Sequence, residues 1–130
     1  KILKNDLGFY ERINNKTKRL YDGFLKEINY TGIPCQLNIC GSMLSVHFTK
    51  NYVNDFDSAA KGNNNIFKDF FHFMLSEGVY LPPSAFESYF LNDALTLNDI
   101  DYTVEKFKSF LKKHLQWYYE DCIIFFFNFN

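Results

Sequence analysis

The stretch from Glu77 to Glu87 constrains the fold of this chain more than any other. An apolar helical pattern ends just before it, and Gly78 stands where a helix that stops would place a residue in the left-handed conformation. Residues 79–81 favour a short strand. The pair Pro82-Pro83 then fixes φ and removes two backbone donors. The sequence therefore predicts a helix, a strand and an ordered, proline-stiffened loop in succession.

The loop after the two prolines carries the candidate site. Ser84 and Glu87 place a hydroxyl and a carboxylate on stiff backbone, and loops held by a rigid scaffold are where proteins present polar groups to a ligand. The neighbouring Phe86 and Tyr80 are interpreted as packing residues, because aromatic side chains at a strand–loop junction usually fill core. We therefore expect Ser84 and Glu87 to face a partner or a ligand.

Periodic apolar residues predict three helices. The first spans residues 7–29 in a three-four rhythm and ends before Gly32 and Pro34. The second covers residues 66–75 with a broad apolar stripe. The third runs from Thr96 to Leu115, and Thr96 with Asp99 has the spacing of a capping box.

A hairpin is predicted between the first two helices. Apolar and polar residues alternate over 35–40 and 43–49, with Gly41-Ser42 as the turn. Leu44, Val46 and Phe48 should face the core, whereas Ser45 and His47 should face water. Residues 50–65 form a polar loop with one helical turn near 57–60, and residues 89–91 offer a further short extended piece.

This order of elements predicts an α+β fold, a small antiparallel sheet with helices packed on one face. At 130 residues the chain is one domain's worth of sequence. We assign residues 1–115 to that domain and residues 116–130 to an aromatic tail, in which 122–127 is an aggregation hazard. The function of the tail is not readable.

Composition excludes several classes of protein. A net charge of −1 provides no basic field for nucleic acid, and no run approaches the length of a membrane span. Three cysteines without framework spacing argue against a secreted disulfide scaffold and for a reducing cytoplasm. Cys35 and Cys40 fall on opposite faces of a strand and the histidines stand in separate elements, so no metal site is expected.

The aromatic content of 20% has two interpretations. It indicates either a large core with a compositional bias or a contact surface for a missing partner. The N-terminus has no signal-peptide pattern and no initiator Met, so we expect a chain cut from a longer protein.

The loop sequence also carries a family resemblance. The run Gly-Val-Tyr-Leu-Pro-Pro-Ser-Ala-Phe-Glu at 78–87, followed by Phe90 and Thr-Leu-Asn-Asp-Ile at 96–100, resembles the C-terminal domain of glutamate-1-semialdehyde 2,1-aminomutase. That family comprises pyridoxal-phosphate enzymes related to class III aminotransferases. The order and spacing of shorter matches extend the resemblance over residues 7–113, among them Phe9-Tyr10-Glu11, Asp22-Gly23, Gly32-Ile33-Pro34 and Gly41-Ser42-Met43.

The resemblance implies the small C-terminal domain of a fold-type I pyridoxal-phosphate enzyme. The parent would isomerise glutamate-1-semialdehyde to 5-aminolevulinate for tetrapyrrole (porphyrin) biosynthesis, as a cytoplasmic homodimer. The family's cofactor lysine lies in a large domain upstream, so the resemblance assigns no catalytic, cofactor-binding or metal-binding residue here and this chain alone is expected to be inactive. The segment would form one wall of the active-site cleft, with the Ser84 and Glu87 loop on the substrate side and the large domain as its partner.

Two pairs of alternatives stay open. Glu87 either makes a polar contact to substrate or to a gating segment, or it accepts hydrogen bonds from nearby backbone and orders the loop. The chain is either a fragment of an aminomutase or an isolated α+β interaction module without catalysis. Asn92 and Leu95 stand where family members often carry Ser and His, and both are interpreted as structural.

Overall fold

The computed structural model describes the backbone of residues 5–127 and the side chains of residues 5–115. In chain order the elements are α1 (Phe9–Thr31), β1 (Gln36–Cys40), β2 (Met43–His47), α2 (Phe56–Ala60), α3 (Asn64–Ser76), β3 (Tyr89–Phe90) and α4 (Leu97–Phe127). The α+β class predicted from the sequence is confirmed, and α1 and α3 begin and end within two residues of their predicted bounds. The start of α4 is also as predicted, but its predicted end at Leu115 is wrong, because the helix continues to Phe127. The side chains of the proposed tail lie outside the described residues.

The sheet is antiparallel with the strand order β1-β2-β3. Leu37 pairs with Val46 and Leu44 pairs with Tyr89, so the predicted hairpin is confirmed. The prediction of a strand at residues 79–81 is wrong. The extended piece near 89–91 supplies the third strand instead, because the backbone at residue 79 completes the end of α3 and is not available for a ladder.

The core lies between one face of the sheet and the helices. Leu44 and Val46 point into it from β2 and are fully buried. Phe24 of α1 and Phe107 of α4 stack with ring centroids 4.0 Å apart, and Phe70 of α3 meets Phe107 edge to face at 5.5 Å. Part of the aromatic excess therefore fills the interior, where such ring pairs contribute beyond their buried area.

The prediction that His47 faces water is wrong. It is only 7% exposed, because the chain after β2 folds back across this side of the sheet, where Asn38 Nδ2 donates to the Val53 carbonyl at 3.0 Å. Burial lowers the pKa of His47, and its Nε2 lies 3.0 Å from Ser45 Oγ.

Capping groups define where the helices begin. The predicted capping box of α4 is present, because the Thr96 N–H donates to Asp99 Oδ2 at 2.7 Å and the Asp99 N–H donates to Thr96 Oγ1 at 3.2 Å. Asn63 caps α3 through its side-chain oxygen. Within the described residues, no helix is both long enough and apolar enough to cross a membrane.

Candidate functional site

The root of the candidate loop is fixed by the end of α3. Gly78 has φ of 81°, the left-handed conformation that favours glycine. Its N–H donates to the Leu75 carbonyl at 3.0 Å, and the Val79 N–H donates to the Met74 carbonyl at 2.8 Å. These two bonds form a Schellman motif, which satisfies carbonyls that a helix end otherwise leaves free. The chain therefore leaves α3 in one defined direction.

The tip of the loop is a tight turn built around Ser84. The Glu87 N–H donates to the Ser84 carbonyl at 3.1 Å, and the Phe86 N–H donates to Ser84 Oγ at 3.2 Å. The Ser84 hydroxyl thus orders its own backbone, as Ser side chains commonly do in turns. Its hydrogen stays available to an outside acceptor.

Glu87 lies on the exposed side of this turn. Among the residues whose side chains are described, its carboxylate has no hydrogen-bond or ion-pair partner. The alternative in which Glu87 braces the loop by accepting backbone hydrogen bonds has no such bond to support it here. The structure leaves this carboxylate open to a group outside residues 5–115.

The interpretation of Tyr80 and Phe86 as core packing is wrong. Tyr80 is 74% exposed and Phe86 is 47% exposed, and Leu81 between them is the side chain that turns inward. Phe86 lies against Phe56 of α2 with ring centroids 5.3 Å apart. With no strand at residues 79–81, there is no strand–loop junction to place these aromatic side chains in the core.

A groove of about 690 Å³ lies under the loop, between residues 78–91 and α4. We refer to it as the loop groove. Glu87, Tyr80 and Tyr102 contribute to its wall, and Leu81, Tyr89 and Ile100 line its apolar part. No lysine lines it, so residues 5–115 offer no amine there to hold pyridoxal phosphate covalently. The groove can accommodate a ligand or a protein segment but has no lysine amine of its own among the described residues.

Two buried groups near the loop groove are unsuited to chemistry. Burial raises the pKa of the Cys35 thiol to about 12, and a thiol rather than a thiolate is a poor nucleophile. Burial also raises the pKa of Tyr89, with Cys35 as a second cause. The Tyr89 hydroxyl has no hydrogen-bond partner among the described residues.

Beyond β3, the chain is tied to α1 by an ion-pair network that local sequence patterns do not predict. Asp93 accepts hydrogen bonds from Arg12 Nη2 at 2.8 Å and from Lys16 Nζ at 3.0 Å. The side chains of Arg12 and then Lys16 lower the pKa of Asp93 to about 2. No local spacing predicts these contacts, because the partners lie 77 and 81 residues apart in the sequence.

Asn92 and Leu95, the two positions that depart from the family pattern, both make contacts that stabilise the local structure. Asn92 Oδ1 accepts hydrogen bonds from the N–H groups of Ala94 and Leu95 at 3.0 and 3.2 Å. Leu95 is half-buried against the core. Both residues shape the segment between β3 and α4.

Comparison with known proteins agrees with this geometry. The chain is 45% identical over 104 residues to the glutamate-1-semialdehyde 2,1-aminomutase of Flavobacterium johnsoniae, an alignment that covers 80% of the chain and 24% of the relative. By sequence, the chain resembles a C-terminal segment of the glutamate-1-semialdehyde 2,1-aminomutases. It therefore spans about a quarter of the length of the aminomutases that it matches. No protein-family model matches the chain.

Solved structures support the same fold. A glutamate-1-semialdehyde aminomutase from Pseudomonas aeruginosa superposes with a TM-score of 0.73 at 16% identity, over 82% of the chain and 24% of that protein. The internal aldimine form of the pyridoxal-phosphate protein FumI from Sphingopyxis gives a TM-score of 0.68 at 19% identity, over 86% of the chain and 24% of that protein. At these identities the likeness concerns the fold alone.

Proposed function

We propose that this chain forms the C-terminal wall of the active-site cleft in a pyridoxal-phosphate-dependent aminomutase that converts glutamate-1-semialdehyde to 5-aminolevulinate. The identity to curated aminomutases supports the family. The loop carrying Ser84 and Glu87 supports the location of the wall, because it is held at its root by α3 and beyond β3 by the Asp93 network. A loop fixed at both ends can present its side chains with little loss of conformational freedom on binding.

The unpaired carboxylate of Glu87 is the single observation that carries the proposal. It sits on ordered backbone at the wall of the loop groove. There it is available to accept a charge-assisted hydrogen bond from an ammonium group or an N–H of substrate or of a gating segment. Such bonds contribute about 1.5–3 kcal/mol. We propose that Glu87 makes this contact and that Ser84 fixes the turn which holds it.

The cofactor belongs to the upstream part of the parent. Pyridoxal phosphate supplies the electron sink for moving an amino group between carbons, whereas the residues of this chain position the substrate and exclude water. Because no lysine lines the loop groove, the chain mixed with pyridoxal phosphate should give no absorbance from a cofactor bound to one specific lysine. Such a band, lost on substitution of one particular lysine, would overturn this division of roles.

We further propose that the parent acts as a homodimer in the cytoplasm. The free thiols of Cys35 and Cys40 support the compartment, because thiols persist where the surroundings are reducing. The exposed aromatic side chains around the loop groove support a contact with the large domain of the parent.

A hybrid enzyme tests the proposal. Residues 5–115 would replace the matching segment of the Flavobacterium johnsoniae aminomutase, and the hybrid would be assayed for formation of 5-aminolevulinate. An active hybrid is expected. A hybrid that folds and takes up the cofactor but forms no product would contradict the proposal.

A further inference from the structure

We propose that Tyr102 and Lys106 of α4 are positioning residues, which clamp Glu77 at the root of the loop and thereby hold Glu87 in place. This inference rests on the proposed role of Glu87 in the cleft. We refer to the contacts of Tyr102 and Lys106 with Glu77 as the Glu77 clamp.

The Glu77 clamp joins α4 to the end of α3 by two different bonds. The Tyr102 hydroxyl donates to the Glu77 carbonyl at 2.9 Å, and Lys106 Nζ lies 2.7 Å from Glu77 Oε2. Lys106 Nζ also lies 4.9 Å from the centroid of the Tyr102 ring, within cation–π range. The side chains of Tyr102 and Lys106 therefore hold the backbone carbonyl and the carboxylate of the residue that precedes the left-handed Gly78.

The charge of Glu77 is otherwise poorly placed. A carboxylate at the C-terminal end of a helix lies at the negative end of the helix dipole, which disfavours it. Lys106 offsets this, and the hydrogen bond that Lys106 donates to the Glu77 carboxylate in turn raises the pKa of Lys106. The helix end alone gives no reason for an acidic residue at 77, whereas a tie to α4 does.

The clamp matters because part of the space beneath the loop is open. Between residues 78–91 and α4 lies the loop groove rather than filled core. Tyr102 is itself part of that wall. In the first half of the loop Leu81 is buried and Val79 is partly buried, so the bonds from α4 add to this limited packing. Loss of the clamp should let the loop open locally while the core stays closed.

Amide hydrogen exchange of the full chain tests the clamp. Tyr102→Phe removes the hydroxyl and keeps the ring, and Lys106→Met removes the charge and keeps most of the stem. Tyr30→Phe is the matched control, since Tyr30 is exposed and its hydroxyl has no partner among the described residues. The reporters are the hydrogen-bonded amides of Gly78, Val79 and Glu87.

Each clamp variant should speed exchange at these three amides about fivefold, the equivalent of one net hydrogen bond, and leave amides of α1 and β2 unchanged. Tyr30→Phe should change none of them. Unchanged loop amides, or a uniform rise across the whole chain, would overturn the clamp.

The hybrid enzyme separates this inference from the function on which it rests. Tyr102→Phe should lower turnover in the hybrid, and should add little once Glu87→Gln is present, because both changes then act through one carboxylate. Full additivity of the two losses would overturn the claim that the clamp acts through Glu87. If loop exchange rises as expected but Glu87→Gln has no kinetic effect, the clamp stands and the proposed role of Glu87 fails.

Discussion

Val104 of α4 lies so close to Gly23 of α1 that a Cβ added to the glycine would fall 2.5 Å from Val104 Cγ2 and 2.9 Å from Val104 Cγ1. Real Cβ atoms do not approach other atoms so closely. The two helices can therefore meet at this distance only because residue 23 has no side chain. Phe24, which follows Gly23, stacks in the core on Phe107, which lies about one turn after Val104. The spacing of α1 and α4 therefore also sets the packing of these buried rings.

Gly23→Ala should destabilise the chain despite the better helix propensity of Ala. Propensity favours Ala by about 1 kcal/mol, whereas overpacking of a close contact costs about 1–3 kcal/mol. We expect a net loss of about 1 kcal/mol in the free energy of unfolding, measured by urea denaturation. Val104→Ala in the Gly23→Ala background should recover much of this loss, as a double-mutant cycle would show. If the Gly23→Ala chain is as stable as the unsubstituted chain, the close contact with Val104 does not require a glycine at residue 23.

The Asp93 network predicts a pH-dependent contribution to stability. The folded-state pKa of Asp93 is about 2, below the ordinary value of 3.8, because Arg12 and then Lys16 stabilise the carboxylate. A lowered pKa means that the contribution is fully present above about pH 3.8 and is lost as the pH falls toward 2. Asp93→Asn should therefore lower the urea midpoint at pH 7, and the difference should shrink between about pH 4 and pH 2, where the Asp93 carboxylate becomes protonated. A gap of constant size over that range would show that Asp93 acts by shape and not by charge.

The exposed aromatics around the loop groove predict that the isolated chain associates with itself. Phe90 is 70% exposed on the edge strand β3, and Tyr80 adjoins the same groove. Burying apolar area gains about 25 cal/mol per Å², so a patch of this kind favours contact with another surface. Phe90→Thr should reduce dye binding and self-association in sedimentation, with little change in stability. Leu7→Thr, an exposed position that does not line the groove, is the control and should change neither.

Local patterns predicted the elements that depend on local physics. The end of α3 at Gly78, the Thr96 and Asp99 capping box and the inward face of β2 all follow from spacing within a few residues, and all are present. The prediction of a strand at residues 79–81 was wrong for a related reason. β propensity describes a side chain that suits a sheet, but whether a neighbouring strand is there to pair with is a property of the whole fold.

In the candidate site, too, local features were predictable from the sequence and long-range contacts were not. The two prolines predicted an ordered loop, and the structure has a hydrogen-bonded turn at Ser84. Long-range contacts could not be read from the sequence, including Asp93 with Arg12 and Glu77 with Tyr102, because 81 and 25 residues separate the partners. The burial of His47 belongs to this class, since it depends on a later segment that crosses the sheet.

The central claim is that the open carboxylate of Glu87 serves the chemistry of the complete enzyme and does not brace the fold. The most direct measurement compares Glu87→Gln with Glu11→Gln in the hybrid aminomutase, following both turnover and melting temperature. Glu11 is an exposed carboxylate with no partner among the described residues and lies away from the loop groove. Loss of one charge-assisted contact predicts a turnover or substrate-retention defect of roughly tenfold or more for Glu87→Gln, with an unchanged melting temperature and no defect for Glu11→Gln. A Glu87→Gln enzyme that melts earlier but turns over at the full rate would contradict the account and make Glu87 a structural brace.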